Sequence, residues 1–169
     1  MNSALRLAVY CLFLIVAPSS LPQDSKAVAN QGNLYAAAVF ASIVQMDKEW
    51  GHVNATPDDS IRTDYHHMIV KKSEMTEGLP DRAGDYQIEV LDPRELVERY
   101  RKVRKGFSIL VMHPIKNQGA GLSVNIGIFW FSHKKAASSY SFSDSSDVEF
   151  RYDCEKQDWV VAKVRLGGI

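Results

Sequence analysis

From residue 107 onward the chain is a succession of strand-forming runs. They cover 107–112, 122–132, 136–152 and 159–166, and only the short polar turns 116–121, 133–135 and 154–158 interrupt them. Four such runs joined by short turns make a meander. An antiparallel meander of this kind must bury one face against something else. The segment Leu34–Trp50 can supply that cover. It contains no Gly or Pro, and Tyr35, Val39, Ile43, Met46 and Trp50 recur at helical spacing, with Asn33 as N-cap and Gly51 as stop. The 136–152 run is long enough to need a bulge or bend, expected at residues 144–147.

Between helix and meander the signals alternate. Thr56-Pro57-Asp58-Asp59 reads as the start of a short second helix reaching residue 62. Residues 65–70 and Tyr86–Leu91 read as strands separated by a polar loop holding Gly78, Pro80 and Gly84, and are expected to pair as a long-looped hairpin. Asp92-Pro93-Arg94-Glu95 is the clearest helix start, since Asp caps, Pro pre-sets φ and Glu reaches back to the cap. Leu96, Val97, Tyr100 and Val103 form the apolar stripe of that helix, and Gly106 ends it. The predicted class is α+β, with a long N-terminal helix packed on a curved, mostly antiparallel sheet of about six strands.

Composition narrows the function classes. A chain of 169 residues, 46% apolar and 24% charged, can bury one substantial core, which excludes a disordered or fibrous protein. Twenty basic and twenty acidic side chains leave no net charge to attract nucleic acid. The basic group Arg99, Arg101, Lys102, Arg104 and Lys105 crowds the last turns of the third helix, where the helix dipole accounts for it.

At the N-terminus, Arg6 precedes eleven apolar residues, 7–17, followed by Pro18, Ser19 and Ser20, the pattern of a secretory signal peptide. Eleven helical residues reach roughly 16 Å, about half a bilayer core, so no stable membrane span is expected. The expected organisation is a signal peptide at 1–20, cleaved after Ser19 or after Ala29, a polar lead-in at 21–32 and a single domain at 33–169, exported to a periplasmic or extracellular location. Only Cys154 would remain after cleavage, so no internal disulfide can form.

The order of elements across residues 33–168, closed by the strand opening Asp158-Trp159-Val160-Val161, resembles the nuclear-transport-factor-two-like superfamily of cystatin-like, cone-shaped α+β rolls. That superfamily includes isomerases, dehydratases, polyketide cyclases and protein-binding modules. The resemblance therefore implies a fold and a place to look, the mouth of the cone between helix and concave sheet, without choosing an activity.

Strand alternation puts Asp64 and His66 on one side and His67 on the other. A carboxylate beside an imidazole suits acid–base chemistry, which makes Asp64 and His66 the candidate catalytic pair, with Tyr86 as donor to a developing oxyanion. Leu122, Val124, Ile126, Ile128 and Trp130 share one face of the long strand and read as the core face. Trp130, Tyr86 and Tyr140 are the candidate ligand-binding aromatics. No metal-ligand spacing, phosphate loop, dinucleotide fingerprint or serine elbow is present, so no metal and no cofactor are expected.

The leading reading is an exported binding domain for a small apolar ligand or a protein partner. A cofactor-independent lyase or isomerase is the alternative, and a homodimerising interaction module is the third.

Overall fold

The structure is a computed structural model and describes residues 34–50 and 66–168. The expected leader, the lead-in, the helix at 56–62 and Asp64 lie outside the described residues.

Two α-helices and an open, mixed sheet of eight strands form an α+β fold. Helix α1 is Leu34–Trp50. Strand β1 (His67–Lys71) is followed by a 3-10 turn at Glu74–Thr76, β2 (Arg82–Ala83) and β3 (Tyr86–Leu91). Helix α2 (Pro93–Val103) leads to β4 (Phe107–Met112), β5 (Lys116–Gln118), β6 (Gly121–Lys134), β7 (Ala137–Asp153) and β8 (Asp158–Gly168). In space the strands run β2-β3-β1-β4-β6-β7-β8, with β5 on β6. The sheet exceeds the expected six strands because two short segments, β2 and β5, join it. No helix among the described residues is long and apolar enough to cross a membrane.

The expected hairpin does not form: β1 lies parallel to β3, Met68 opposite Ile88 and Val70 opposite Val90. The antiparallel partner of β3 is instead β2, through a two-residue turn in which Gly84 takes φ +61°, a conformation glycine enters without a side-chain clash. With its turn-side neighbour supplied locally, β3 offers its other edge to β1. Helix α2 then carries the chain over β1, which pairs parallel with β4. A strand between two parallel neighbours is covered on both sides, which explains the unbroken apolar run Met68-Ile69-Val70.

The sheet thus separates two cores. On the inner face Val39, Phe40, Ile43 and Met46 of α1 pack on Met68, Val70, Ile88, Leu110, Val124, Ile126, Val148 and Phe150. The expectation of a single apolar stripe on α1 is too narrow: all residues from Ala36 to Ile43 are buried, four of them alanines small enough for close approach. On the outer face Leu96 of α2 joins Ile69, Leu91, Ile109 and Phe131. Of the β6 face assigned to the core, Val124, Ile126 and Ile128 are buried and Leu122 and Trp130 partly so, while Phe131 on the reverse is fully buried.

One polar contact crosses the inner core, a 2.8 Å hydrogen bond between the hydroxyls of Ser42 on α1 and Ser146 on β7. Both serines are completely buried. Ser42→Ala strands the other hydroxyl without its partner, and a loss of about 1–3 kcal/mol is expected in urea unfolding. The double replacement Ser42→Ala/Ser146→Ala should recover part of that loss, giving a positive coupling in the cycle.

Helix α2 starts as its sequence predicts. Asp92 accepts from the backbone N–H of Arg94 at 2.7 Å and of Glu95 at 2.9 Å, while its own N–H donates to Glu95 Oε2 at 2.7 Å. The hydrogen bond from the Glu95 N–H, aided by that from Arg94 and by the charges of Lys72 and Arg94, holds the Asp92 carboxyl below its usual 3.8. A depressed native pKa gives stability that is complete above 3.8 and fades as pH falls through the lower native value. Asp92→Ala should therefore lower the melting temperature at neutral pH, and the gap from wild type should close in strong acid.

Candidate functional site

Three places on the fold carry side chains with chemistry to offer. The first lies where the end of α1 meets the start of β3. Tyr86 begins β3 with its ring edge-on to Phe40 of α1 at 5.8 Å, which aims its hydroxyl along the helix toward the last turn. There it donates to Asp47 Oδ2 at 2.9 Å. His66, just before β1, stacks flat on the Tyr86 ring at 5.0 Å, and its Nε2 lies 3.8 Å from the same Asp47 oxygen.

Two of the sequence-derived candidates, His66 and Tyr86, are therefore brought together, around a carboxylate that the sequence reading passed over. Asp47 follows Ile43 by one helical turn and so shares its side of α1, a spacing that marks the acid as sheet-facing. The cluster holds an imidazole, 59% exposed as a side chain, beside an oriented carboxylate. The phenol proton is already committed to that carboxylate, so Tyr86 has no donor left for an oxyanion in this arrangement.

The second place is on the outer face. His67 turns away from His66 and its Nε2 sits 3.0 Å from Glu89 Oε2, which also lies 3.4 Å from Arg99 Nη1 of α2. The trio ties helix to sheet across β1 and β3. Arg99, one of the basic group at the end of α2, is thus engaged by Glu89.

The third place is the ribbon formed by the far halves of β6 and β7. Trp130 and Tyr140 take opposite sides of it, so the structure does not gather them into one pocket with Tyr86. Trp130 is opposite Ser108 and Ser141, and its indole lies so close over Gly106 that any side chain there would collide with it. Gly106 is expected to end the third helix; the helix instead ends on Arg104, whose φ of +53° is its left-handed C-cap, and Gly106 makes room for this ring. Tyr140 packs against Phe131 at 5.2 Å on the outer face, under the ammonium of Lys71 5.0 Å from its ring centre. Burial pushes the Tyr140 phenol above its ordinary 10.0. Phe142, one pair further on, rests on Phe129 at 5.4 Å and remains 49% exposed.

A bulge shapes this third place. Ile128 is opposite Asp144 and Phe129 opposite Phe142, so Ser143 is the extra residue, one position before the segment expected to bend. Its hydroxyl donates to the Ile128 carbonyl at 3.0 Å. Among the described residues β8 pairs with β7 as far as Gly168 opposite Asp144. Beyond the bulge, residues 137–143 bond to β6 on one side, and among the described residues no strand pairs with their other side. All seven are exposed, and their sequence, Ala-Ser-Ser-Tyr-Ser-Phe-Ser, carries no charge.

Among the described residues no three His, Cys, Asp or Glu side chains gather as metal ligands. Cys154 is a free, exposed thiol in the turn between β7 and β8. Comparison with protein-family models, with curated proteins and with solved structures gives no match, so the functional reading rests on the geometry.

Proposed function

We propose that the chain is a non-enzymatic interaction domain that takes a protein partner by strand addition along residues 137–143 of β7. The observation that carries this reading is the uncharged, seven-residue free edge, bordered by the half-exposed rings of Tyr140 and Phe142. A free edge presents unpaired N–H and C=O groups that template another strand, and folded proteins ordinarily blunt such edges with charge or brevity. The other edges are blunted in that way. β8 carries Lys163 and Arg165, β2 is two residues long with an exposed Arg82, and β5 is three residues long and opens on Lys116. Among the described residues the far half of β7 has neither charge nor brevity, and its one interruption is the bulge at Ser143 at its end.

The small-ligand arm of the binding reading has less support, since α1 spends Val39, Ile43 and Met46 on the sheet. The lyase or isomerase alternative is weakened at Tyr86, whose hydroxyl is held by Asp47. Export of the domain is supported by the sequence of residues 1–20 alone, and the cone-shaped roll of the nuclear-transport-factor-two-like superfamily by the order of elements.

The test is a titration of the full, isotope-labelled chain with a synthetic peptide repeating residues 137–143, followed by amide NMR shifts. Shifts concentrated in residues 137–143, with none at Asp47, His66 or Tyr86, are the expected result. No shifts, or shifts centred on Asp47, would overturn strand addition at this edge.

A further inference from the structure

We propose that the end of the sheet where the β6–β7 tip meets the tail of α2 is a docking surface for a short acidic segment of a partner protein. It stands apart from strand addition, because it uses charged side chains around the tip and not the open edge of β7.

The fold gathers positive charge here that the sequence keeps in two places. Residues 99–107 and 129–143 contain no Asp or Glu. Two contacts bring these stretches together: the ring of Tyr100 lies 6.2 Å from that of His133, and the Trp130 indole covers Gly106. Strand pairing agrees, since Phe107 is opposite Phe131, which sets the linker before β4 level with the tip of β6. Arg101, Lys102, Arg104 and Lys105 thereby stand on the same end of the sheet as Lys134 and Lys135, and all six are exposed. Among the described residues no ion pair joins any of the six to a carboxylate.

The dipole of α2 favours Arg101 and Lys102 in its last turn, but that influence fades within the turn and gives no reason for two lysines on a neighbouring β tip. Lys135 is held there against the backbone: its φ of +49° lies in the left-handed region, which glycine or asparagine enters with less strain. In a chain with 20 acids for 20 bases, cations drawn from two elements to one end form a local field that a complementary anion satisfies.

The anion that fits is short and partly apolar. Glu98 precedes the basic stretch of α2, and Asp144, Asp147 and Glu149 follow the tip along β7, so a long polyanion such as a nucleic acid meets carboxylates as it leaves the patch. Between the tip and those β7 acids lie the rings of Tyr140 and Phe142, 37% and 49% exposed, with the Lys71 ammonium 5.0 Å from the centre of the Tyr140 ring. A polypeptide can answer both halves, with carboxylates for the cations and apolar side chains for the rings.

The experiment is fluorescence anisotropy of a labelled oligoglutamate peptide titrated with the full chain, with circular dichroism as the check on folding. Binding should weaken roughly tenfold or more between about 50 mM and about 500 mM salt, as screening shortens the reach of the charges. Lys134→Glu/Lys135→Glu and Arg101→Glu/Lys105→Glu should each weaken it roughly tenfold or more, although they lie on different elements. Lys116→Glu/Lys163→Glu, the same change of net charge placed on β5 and β8, should leave it unchanged.

Lys135→Asn removes the charge and the strain together, so the melting temperature should rise while peptide binding falls, a pair of opposite effects that a purely structural lysine does not give. Absence of binding at low salt, an equal loss in all three paired variants, or an oligothymidylate held more tightly than oligoglutamate overturns the proposal. In each case titration with the uncharged 137–143 peptide reads separately whether the β7 edge accepts a strand.

Discussion

Phe131→Ala should cost about 3–5 kcal/mol of unfolding free energy, the largest loss expected from any single replacement considered for this chain. The ring is fully buried on the outer face of β6, where Tyr100 meets it edge-on at 6.4 Å, Phe107 lies tilted at 5.4 Å and Tyr140 closes over it at 5.2 Å. Truncation leaves a void bounded by three aromatic rings on three different elements, α2, β4 and β7, which cannot all collapse into it together. Urea denaturation should show the midpoint falling by about 1–3 M with an unchanged slope. A second consequence concerns β7: without the Phe131 ring beneath it, Tyr140 loses its support, and the amides of residues 137–143 should become more mobile than those of β8.

Leu96→Ala should cost about 2–5 kcal/mol. Leu96 is the one buried side chain of α2, and it packs into Ile69, Leu91, Ile109 and Phe131. Alanine is at least as good a helix former as leucine, so the loss measures docking of the helix and not its propensity. Because Leu96 and Phe131 belong to one cluster, the double replacement should cost less than the two singles added, a coupling that distant sites would not show. Independent additivity would mean that α2 does not pack over the parallel strands as described.

The limits of α1, β3, α2 and β4 were legible within a residue or so, because each is marked by side chains that act locally: the unbroken helical spacing of Leu34–Trp50, Asp92 and Pro93 at the start of α2, Gly106 before β4. Strand pairing was not legible. Residues 65–70 and Tyr86–Leu91 carry the same pattern whether they lie antiparallel or parallel, and the deciding feature was the two-residue turn at Gly84, which gave β3 a different antiparallel neighbour. The loop between the two strands held a strand of its own. Burial of β1 on both faces was foreshadowed by its three consecutive apolar residues, which alternation arguments treat as ambiguous.

The site was legible in the same uneven way. His66 and Tyr86 were singled out for their chemistry, and they meet. Their common partner, Asp47, comes from an element nearly twenty residues upstream of His66, and only packing of α1 on the sheet selects it. By sequence Tyr140 is a candidate ligand-binding aromatic alongside Tyr86 and Trp130. The structure gives its ring to the outer face, because β6 and β7 pair Tyr140 with Phe131 and not with Trp130. The free edge could not be read from the sequence at all. It depends on the register of β8 on β7, which sets Gly168 opposite Asp144 beside the bulge at Ser143, a register fact with no local marker.

The central claim is that residues 137–143 have one satisfied edge and one open edge awaiting a strand. Amide hydrogen exchange measured residue by residue, on dilute chain alone and again with the peptide copy of the segment in excess, tests it most directly. The account predicts that in the dilute chain alternate amides of 137–143 are slow, held by β6, and the others fast, and that the fast set becomes protected when the peptide is added. Uniform protection of the whole segment in the dilute chain, unchanged by the peptide, would contradict it.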